Sequence, residues 1–128
     1  LFDPILDQHP WPSEVLEWRN TVRQADAIII STPVYLHNIP AVLKNALEWL
    51  TSSGELDGKS VLPITYTPYP PRGERAMQSL LWSLTALNAQ VVTSLPLYKS
   101  ELEINSSGKF VGAESLEMLA TAIDLLNS

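Results

Sequence analysis

The stretch ADAIIISTPVYLHNIPAVLKNALEWL, residues 25–50, decides how this chain folds. It opens with a polar approach and then a continuous apolar run, Ala27–Ile30, in which three isoleucines follow one another. β-Branched residues without polar alternation are typical of a strand that is buried on both faces, as in the centre of a parallel sheet. The run ends before Pro33, because proline cannot continue a ladder of backbone hydrogen bonds.

An amphipathic helix is predicted after a short loop. Its apolar residues recur at the spacing of one buried helical face, at positions Ile39, Val42, Leu43, Ala46, Leu47 and Leu50. The stretch therefore predicts strand, loop and helix in that order. Ligands of open α/β sheets bind at the carboxyl ends of the strands, so this loop is the first candidate for a binding site.

The rest of the chain repeats this alternation. A helix from about residue 13 precedes the strand, and Trp18 is predicted to lie on its buried face. Further strands are predicted at 61–66 and 90–98, with Pro63 expected to bulge the first of them or weaken its pairing. Helices are predicted at about 74–87 and 113–126, the last one burying Leu116, Leu119, Ala120 and Ile123. This order predicts a parallel sheet with helices on both faces.

Composition narrows the classes of function. The length of 128 residues fits one domain, and an apolar content of 45% is enough for a core. A net charge of −6 disfavours nucleic acid, whose phosphates need a basic surface. We find no run of membrane-spanning length and no signal peptide, and therefore expect a cytoplasmic protein. Cysteine is absent, and His9 and His37 lack metal-site spacing, so no metal site and no catalytic triad is expected.

The same central stretch carries a family resemblance. The run Thr32-Pro33-x-Tyr35-x-x-x-Ile39-Pro40-x-Val42-Leu43-Lys44-Asn45-Ala46-Leu47-Glu48-Trp49 resembles the signature of the NADPH-dependent FMN reductase family, usually T-P-E-Y-N-G-S-I-P-G-x-L-K-N-A-[IL]-D-W. The resemblance implies a flavodoxin-like three-layer α/β sandwich with a parallel sheet, as one domain over residues 1–128. It also implies that the domain is incomplete at its N-terminus, with three strands here and the family's first two strands and phosphate loop absent.

The resemblance implies an NAD(P)H-dependent oxidoreductase. Two electrons would pass from NADPH or NADH through bound FMN to a small-molecule acceptor such as a quinone, an azo dye, a metal oxyanion or free flavin. No side chain is expected to be catalytic, because the cofactors do the chemistry. Two alternatives remain open: an electron-transfer flavodoxin without its own NAD(P)H site, and a scaffold derived from the family that no longer binds flavin.

The first loop matches the family's ring-binding loop in position. Thr32, Pro33 and Tyr35 match the pattern, whereas Val34, Leu36 and His37 replace Glu, Asn and Gly. Contacts made by the backbone can survive these replacements. We therefore expect the flavin ring to contact Thr32, Pro33, Val34, Tyr35, Leu36 and His37, and we interpret His37 as solvent-facing rather than as an acid or base.

The second loop follows the strand at 61–66. The family is glycine-rich here and ends G-G-x-R-A, whereas this chain reads TPYPPRGERA over residues 67–76. Gly73 and Arg75 match, and Arg72 replaces a glycine. Prolines offer no N–H to a flavin carbonyl, so the expected cofactor contacts are Thr67, Tyr69 and Gly73. Tyr69 either stacks on the ring or packs in the loop. Arg75 either holds the loop by pairing within its helix or reaches a cofactor phosphate, and we favour the structural role.

The family resemblance also implies self-association. Its members form homodimers or homotetramers, and tryptophan is a favoured anchor of interfaces. Trp82 lies off the apolar stripe of its predicted helix, and Trp49 lies at the border of its own. Both are therefore predicted to be exposed at an interface of a homodimer or homotetramer.

Overall fold

The computed structural model describes residues 1–127. It alternates helices and strands as the sequence predicts. The elements are, in order, α1 (Ser13–Gln24), β1 (Ala27–Thr32), α2 (Ala41–Glu48), β2 (Ser60–Thr67), α3 (Glu74–Ala86), β3 (Gln90–Val91), β4 (Leu95–Tyr98), a short 3₁₀ helix (Lys99–Glu101) and α4 (Ala113–Leu126). None of the helices within residues 1–127 is long and apolar enough to cross a membrane.

The sheet is parallel and β2 lies at its centre. β1 pairs along one side of β2, in a register that runs from Ala27 opposite Ser60 to Thr32 opposite Thr65. β3 and β4 pair with the other side of β2, one after the other. All three pairings are parallel, which places the carboxyl ends of β1, β2 and β4 at one edge of the sheet.

The predicted third strand is divided into β3 and β4 by a bulge. Val61 pairs with Val91 and Ile64 pairs with Leu95, so three steps along β2 oppose four steps along the outer strand. Pro63 lies inside this interval and has no N–H to donate to the ladder. The prediction of a bulge or weak pairing at Pro63 is therefore confirmed.

Two hydrophobic cores cover the two faces of the sheet. Helices α1, α2 and α3 pack on one face, where Ile28, Ile30 and Val61 point; this core is built on Val22, Ile39, Leu47, Leu50, Leu56, Val61, Ala76, Leu80 and Leu84. Helix α4 packs on the opposite face, over Leu62, Leu95, Leu97 and Ala122. Helices on both faces of a parallel sheet make the three-layer sandwich that the sequence predicts.

The prediction that β1 is a central strand, buried on both faces, is wrong. Among residues 1–127, β1 pairs only with β2 and forms an edge of the sheet. Ile28 and Ile30 pack against the α1–α3 core, whereas Ile29 is 50% exposed on the opposite face. The hydrophobic core under α4 includes side chains of β2 and β4 but none of β1, so it does not bury Ile29.

The buried face of α4 is also rotated from the predicted one. Ser115 and Ala122 are buried and Leu119 and Leu126 pack against the second core, whereas Leu116 and Ile123 remain 49% and 44% exposed. The helix is apolar on more than one face, so periodicity alone does not select the side that meets the sheet.

Two predictions on α1 and α2 are corrected as well. Val42 is 78% exposed at the start of α2 and is not part of the buried stripe. Trp18 is 36% exposed and donates an Nε1 hydrogen bond of 2.9 Å to the carbonyl of Ala46, whereas Arg19 takes the buried position beside it. A tryptophan that spans two helices satisfies its N–H at the surface and needs no full burial.

Candidate functional site

The candidate site is built by the two loops that follow β1 and β2. The strands are adjacent and parallel, so both loops leave the sheet at the same edge. The first loop comprises residues 33–40 and the second comprises residues 68–73. They touch where Gly73 approaches Val34, and a β-carbon placed on Gly73 would lie 3.2 Å from Val34 Cγ2. This is the crevice where open α/β sheets bind ligands.

The first loop is a tight hairpin turn. The N–H of Tyr35 donates to the carbonyl of Asn38 at 2.8 Å, and the N–H of Asn38 donates back to the carbonyl of Tyr35 at 2.9 Å. The two residues between them, Leu36 and His37, have φ angles of +50° and +62°. Positive φ at both central positions defines a type I′ turn, in which Asn-Gly is preferred. The turn is therefore strained, because neither residue is Gly or Asn.

The second loop is held from within. The N–H of Arg72 donates to the carbonyl of Tyr69 at 3.1 Å, and Thr67 Oγ1 donates to the carbonyl of Arg72 at 2.9 Å. Pro70 and Pro71 are joined by a cis peptide bond. Gly73 ends the loop with a φ of +89°, and α3 begins at the next residue.

A cavity of about 450 Å³ lies between the two loops and the start of α3. Its lining residues are His37, Tyr69, Pro71, Arg72, Gly73, Glu74 and Arg75. The structure brings His37 of the first predicted loop together with Tyr69 and Gly73 of the second. Neither arginine is among the expected ring contacts, and for Arg75 the sequence favours a structural role over contact with a cofactor phosphate. The feature of the sequence that points to this part of the cavity is Arg72, which replaces a glycine of the family pattern.

The expected site residues fall into an exposed group and a buried group. Pro33, Tyr35, Leu36, His37 and Tyr69 are exposed, Tyr35 at 61% and Tyr69 at 56%. Val34 is half-buried between the loops. An aromatic side chain thus stands free on each loop, where a planar ligand can reach it.

Thr32, Thr67 and Gly73 are buried beneath the exposed residues. Thr32 Oγ1 donates to the carbonyl of Pro33 at 2.9 Å, as Thr67 Oγ1 does to that of Arg72. These two hydrogen bonds fix the backbone conformation of the two loops. Arg75 forms no ion pair within residues 1–127, so the expected pairing of Arg75 within its helix is not present.

Backbone donors at this edge fit a flat ring that carries carbonyl groups. The N–H groups of Leu36, His37 and Gly73 donate to no group within the described chain, residues 1–127. A flavin ring presents carbonyl and ring-nitrogen acceptors along one edge, and free N–H groups are the partners such an edge needs. The described residues contain no group of three or more His, Cys, Asp or Glu side chains able to hold a metal ion.

Comparison with known proteins shows which family this chain is similar to. The sequence profile of the NADPH-dependent FMN reductase family matches residues 2–100. The chain is 37% identical over 118 residues to the NADH:(hydroxy)cinnamate reductase subunit CrdA of Vibrio ruber, covering 88% of this chain and 58% of that protein. It is 35% identical over 95 residues to a quinone reductase of Escherichia coli K12, covering 72% of this chain and 50% of that protein.

Solved structures show the same fold. The NAD(P)H:(acceptor) oxidoreductase of Paracoccus denitrificans superposes with a TM-score of 0.73 at 18% identity, over 98% of this chain and 72% of that one. An apo NADH:FMN oxidoreductase superposes with a TM-score of 0.73 at 24% identity, over 98% of this chain and 65% of that one. The chain spans about half the length of the curated relatives it matches.

Proposed function

Because this chain belongs to the NADPH-dependent FMN reductase family, we propose that it works as an FMN-dependent NAD(P)H oxidoreductase. Its electron acceptor is proposed to be a small molecule, of the quinone or aromatic kind named for its relatives from Escherichia coli and Vibrio ruber. FMN, when bound, supplies the two-electron chemistry, and the protein supplies binding, orientation and electrostatics.

One observation supports this proposal above the others: both loops converge at the carboxyl edge of adjacent parallel strands and leave backbone donors free there. The N–H groups of Leu36, His37 and Gly73 are proposed to bind the acceptor edge of the flavin ring. Tyr35 and Tyr69 are proposed to offer aromatic faces to it. Pro33 and Val34 would line the slot.

The buried threonines have a supporting role in this proposal. Thr32 and Thr67 hold their own loops through hydrogen bonds to backbone carbonyls. They keep the free N–H groups in position, and preorganised donors cost no rearrangement when a ligand binds. No side chain of the chain has to exchange a proton with the substrate in this account.

The decisive experiment measures NADPH and NADH oxidation by the full-length protein at saturating FMN, with a quinone as acceptor. An FMN-dependent rate confirms the reductase proposal. FMN binding without NAD(P)H oxidation would instead identify an electron-transfer flavodoxin. A protein that neither binds FMN nor oxidises NAD(P)H would be a scaffold that has lost the flavin, an outcome that the prolines of the second loop make worth testing.

We further propose that the protein is cytoplasmic and forms a homodimer or homotetramer. Trp82 is 68% exposed on α3 and Val42 is 78% exposed on α2, which gives these helices large apolar groups on their outer sides. Trp49 is only 6% exposed, so the expectation that Trp49 is an exposed anchor is wrong. Light scattering of the full-length protein at micromolar concentration tests the proposal, and a monomer would contradict it.

A further inference from the structure

Of the eight lysines and arginines, three have a partner for their side chain within residues 1–127, and two of the other five, Arg72 and Arg75, lie together at one cavity. Arg19 binds Asp7 at 3.1 Å and Arg23 binds Glu55 at 3.2 Å. Lys59 donates to the carbonyl of Ala25. Within residues 1–127, Arg72 and Arg75 form neither an ion pair nor a side-chain hydrogen bond. Both line the same cavity between the site loops.

Arg72 and Arg75 lack a carboxylate partner within residues 1–127, although the protein is acidic. The sequence has 14 acidic residues against 8 lysines and arginines, so carboxylates are plentiful. Glu74 also lines the cavity, yet it makes no ion pair with either arginine within the part of the chain described. The cavity therefore holds two guanidinium groups whose hydrogen-bond donors are available to a ligand.

From this arrangement we infer that Arg72 and Arg75 bind an anionic group of the substrate that exchanges electrons at this site. The shared chemistry is a planar molecule with a phosphate or carboxylate at one end. The anion is either the 2′-phosphate of the nicotinamide dinucleotide or a carboxylate of the acceptor. The inference rests on the proposed function and adds to it the class of substrate that the site prefers.

The chemistry of the lining supports this inference. Guanidinium groups bind phosphate and carboxylate through paired, charge-assisted hydrogen bonds. Tyr69, 56% exposed in the same lining, offers an aromatic face for the planar part of such a molecule. His37 lies across the cavity on the first loop, so an occupant would touch both loops.

The backbone of Arg72 is held in place by hydrogen bonds within the second loop. Its carbonyl accepts from Thr67 Oγ1 at 2.9 Å, and its N–H donates to Tyr69 at 3.1 Å. Gly73 follows with a φ of +89° and lies against Thr67 and Val34. The backbone that carries the guanidinium is thus anchored on both sides before any ligand arrives, which lowers the entropy lost on binding.

The test compares matched ligands by calorimetry in low salt, with the full-length protein. Adenosine 2′,5′-bisphosphate is compared with 5′-AMP, which lacks the 2′-phosphate, and 2-naphthoate is compared with its neutral amide. Wild type is expected to bind the more anionic member of at least one pair about tenfold more tightly, the scale of one charge-assisted contact. The pair that shows the preference identifies whether the anion belongs to the donor or to the acceptor.

Variants test whether Arg72 and Arg75 cause the preference for the more anionic ligand. R72Q/R75Q is expected to bind both members of that pair within about twofold, and the single variants are expected to lie between. K109Q removes one positive charge from an exposed loop elsewhere and should keep the wild-type preference. Circular dichroism checks folding, which should not change because both arginines are exposed.

Two outcomes would overturn the inference: equal affinity of wild type for both members of each pair, or a preference that survives in R72Q/R75Q. These titrations need neither FMN nor turnover. A protein that fails to oxidise NAD(P)H can therefore still pass them, and an active reductase can still fail them.

Discussion

Gly73 lies against Val34 with no space for a side chain between them. A β-carbon on Gly73 would meet Val34 Cγ2 at 3.2 Å and Thr67 Cγ2 at 2.9 Å. The contact joins the two loops of the candidate site, and the φ of +89° at Gly73 lets the chain turn directly into α3. The two loops are therefore packed more closely than their polar, proline-rich sequence suggests.

Gly73→Ala should destabilise the protein by about 2 kcal/mol or more. The alanine must adopt a positive φ and displace the side chains of Thr67 and Val34. Urea denaturation measures the change. Gly54→Ala is the matched control, because Gly54 has a φ of +74° and open space around its β-position; it should cost about 1 kcal/mol. Equal losses for both would mean that the contact with Val34 is unimportant.

Introducing the Asn-Gly pair that a type I′ turn prefers should stabilise the protein. L36N/H37G replaces two residues at positive φ with the pair that a type I′ turn favours. We expect a gain of about 1 kcal/mol in the free energy of unfolding, since the strain removed exceeds the chain entropy that glycine adds. Val42→Gly, at an exposed position of α2, should instead lower the free energy of unfolding by about 1 kcal/mol. A loss of stability in L36N/H37G would show that the turn has another geometry.

Arg19 should be a major determinant of stability. It is 5% exposed, and its Nε donates to the carbonyl of Trp49 at 2.9 Å while an Nη donates to Asp7 at 3.1 Å. Arg19→Ala removes the donor to the carbonyl of Trp49 and leaves the Asp7 carboxylate without its cationic partner, so it should cost about 3 kcal/mol. Asn20→Ala, exposed on the same helix, should change stability by no more than about 0.5 kcal/mol. Thermal or urea unfolding of both variants decides this, and equal effects would contradict the role of Arg19.

The same cluster should make stability depend on acid pH. Hydrogen bonding with Ser52 and with Arg19 holds the pKa of the Asp7 carboxyl below its ordinary value. A carboxyl whose pKa is lower in the folded state stabilises the protein above its unfolded pKa, near 4, and this contribution is lost as the pH falls through the folded pKa. Asp7→Asn should therefore lose stability at pH 7 but less so near pH 2.

The control for the pH prediction is Asp26→Asn, because Asp26 is exposed and its side chain makes no ion pair within residues 1–127. It should follow the wild-type dependence of unfolding free energy on pH. If Asp7→Asn also follows the wild-type curve at every pH, the Asp7 interactions contribute nothing to acid stability.

Tyr35→Ala should weaken FMN binding by full-length protein by about 1–3 kcal/mol, the scale of a lost aromatic contact. Tyr35 is 61% exposed at the site edge, so folding should change little. Flavin fluorescence quenching measures the affinity, with circular dichroism as the folding control. His37→Ala should change FMN affinity far less. The reverse order, in which His37→Ala loses flavin and Tyr35→Ala does not, would contradict the site assignment.

Much of the fold was predictable because its signals are local. Helical apolar spacing and the prolines and glycines between segments depend only on near neighbours along the chain. They predicted α4 as Ala113–Leu126 and the weak point of β2 at Pro63. The family signature in residues 32–49 identified the first site loop. The expected contacts of FMN in both loops stay predictions, since they depend on a ligand.

The sequence by itself thus determined which segments are helices and strands, their parallel order, and which two loops lie at the carboxyl edge of the sheet. Tertiary structure alone decided which groups are covered: Ile29 is half exposed because the core under α4 includes no β1 side chain, and Trp49 is buried beside Arg19. It also decided that Leu36 and His37 adopt positive φ and that Arg72 and Arg75 lack carboxylate partners within residues 1–127. Burial and ion pairing depend on contacts between residues that are distant in sequence, and local sequence patterns do not show which of these residues meet.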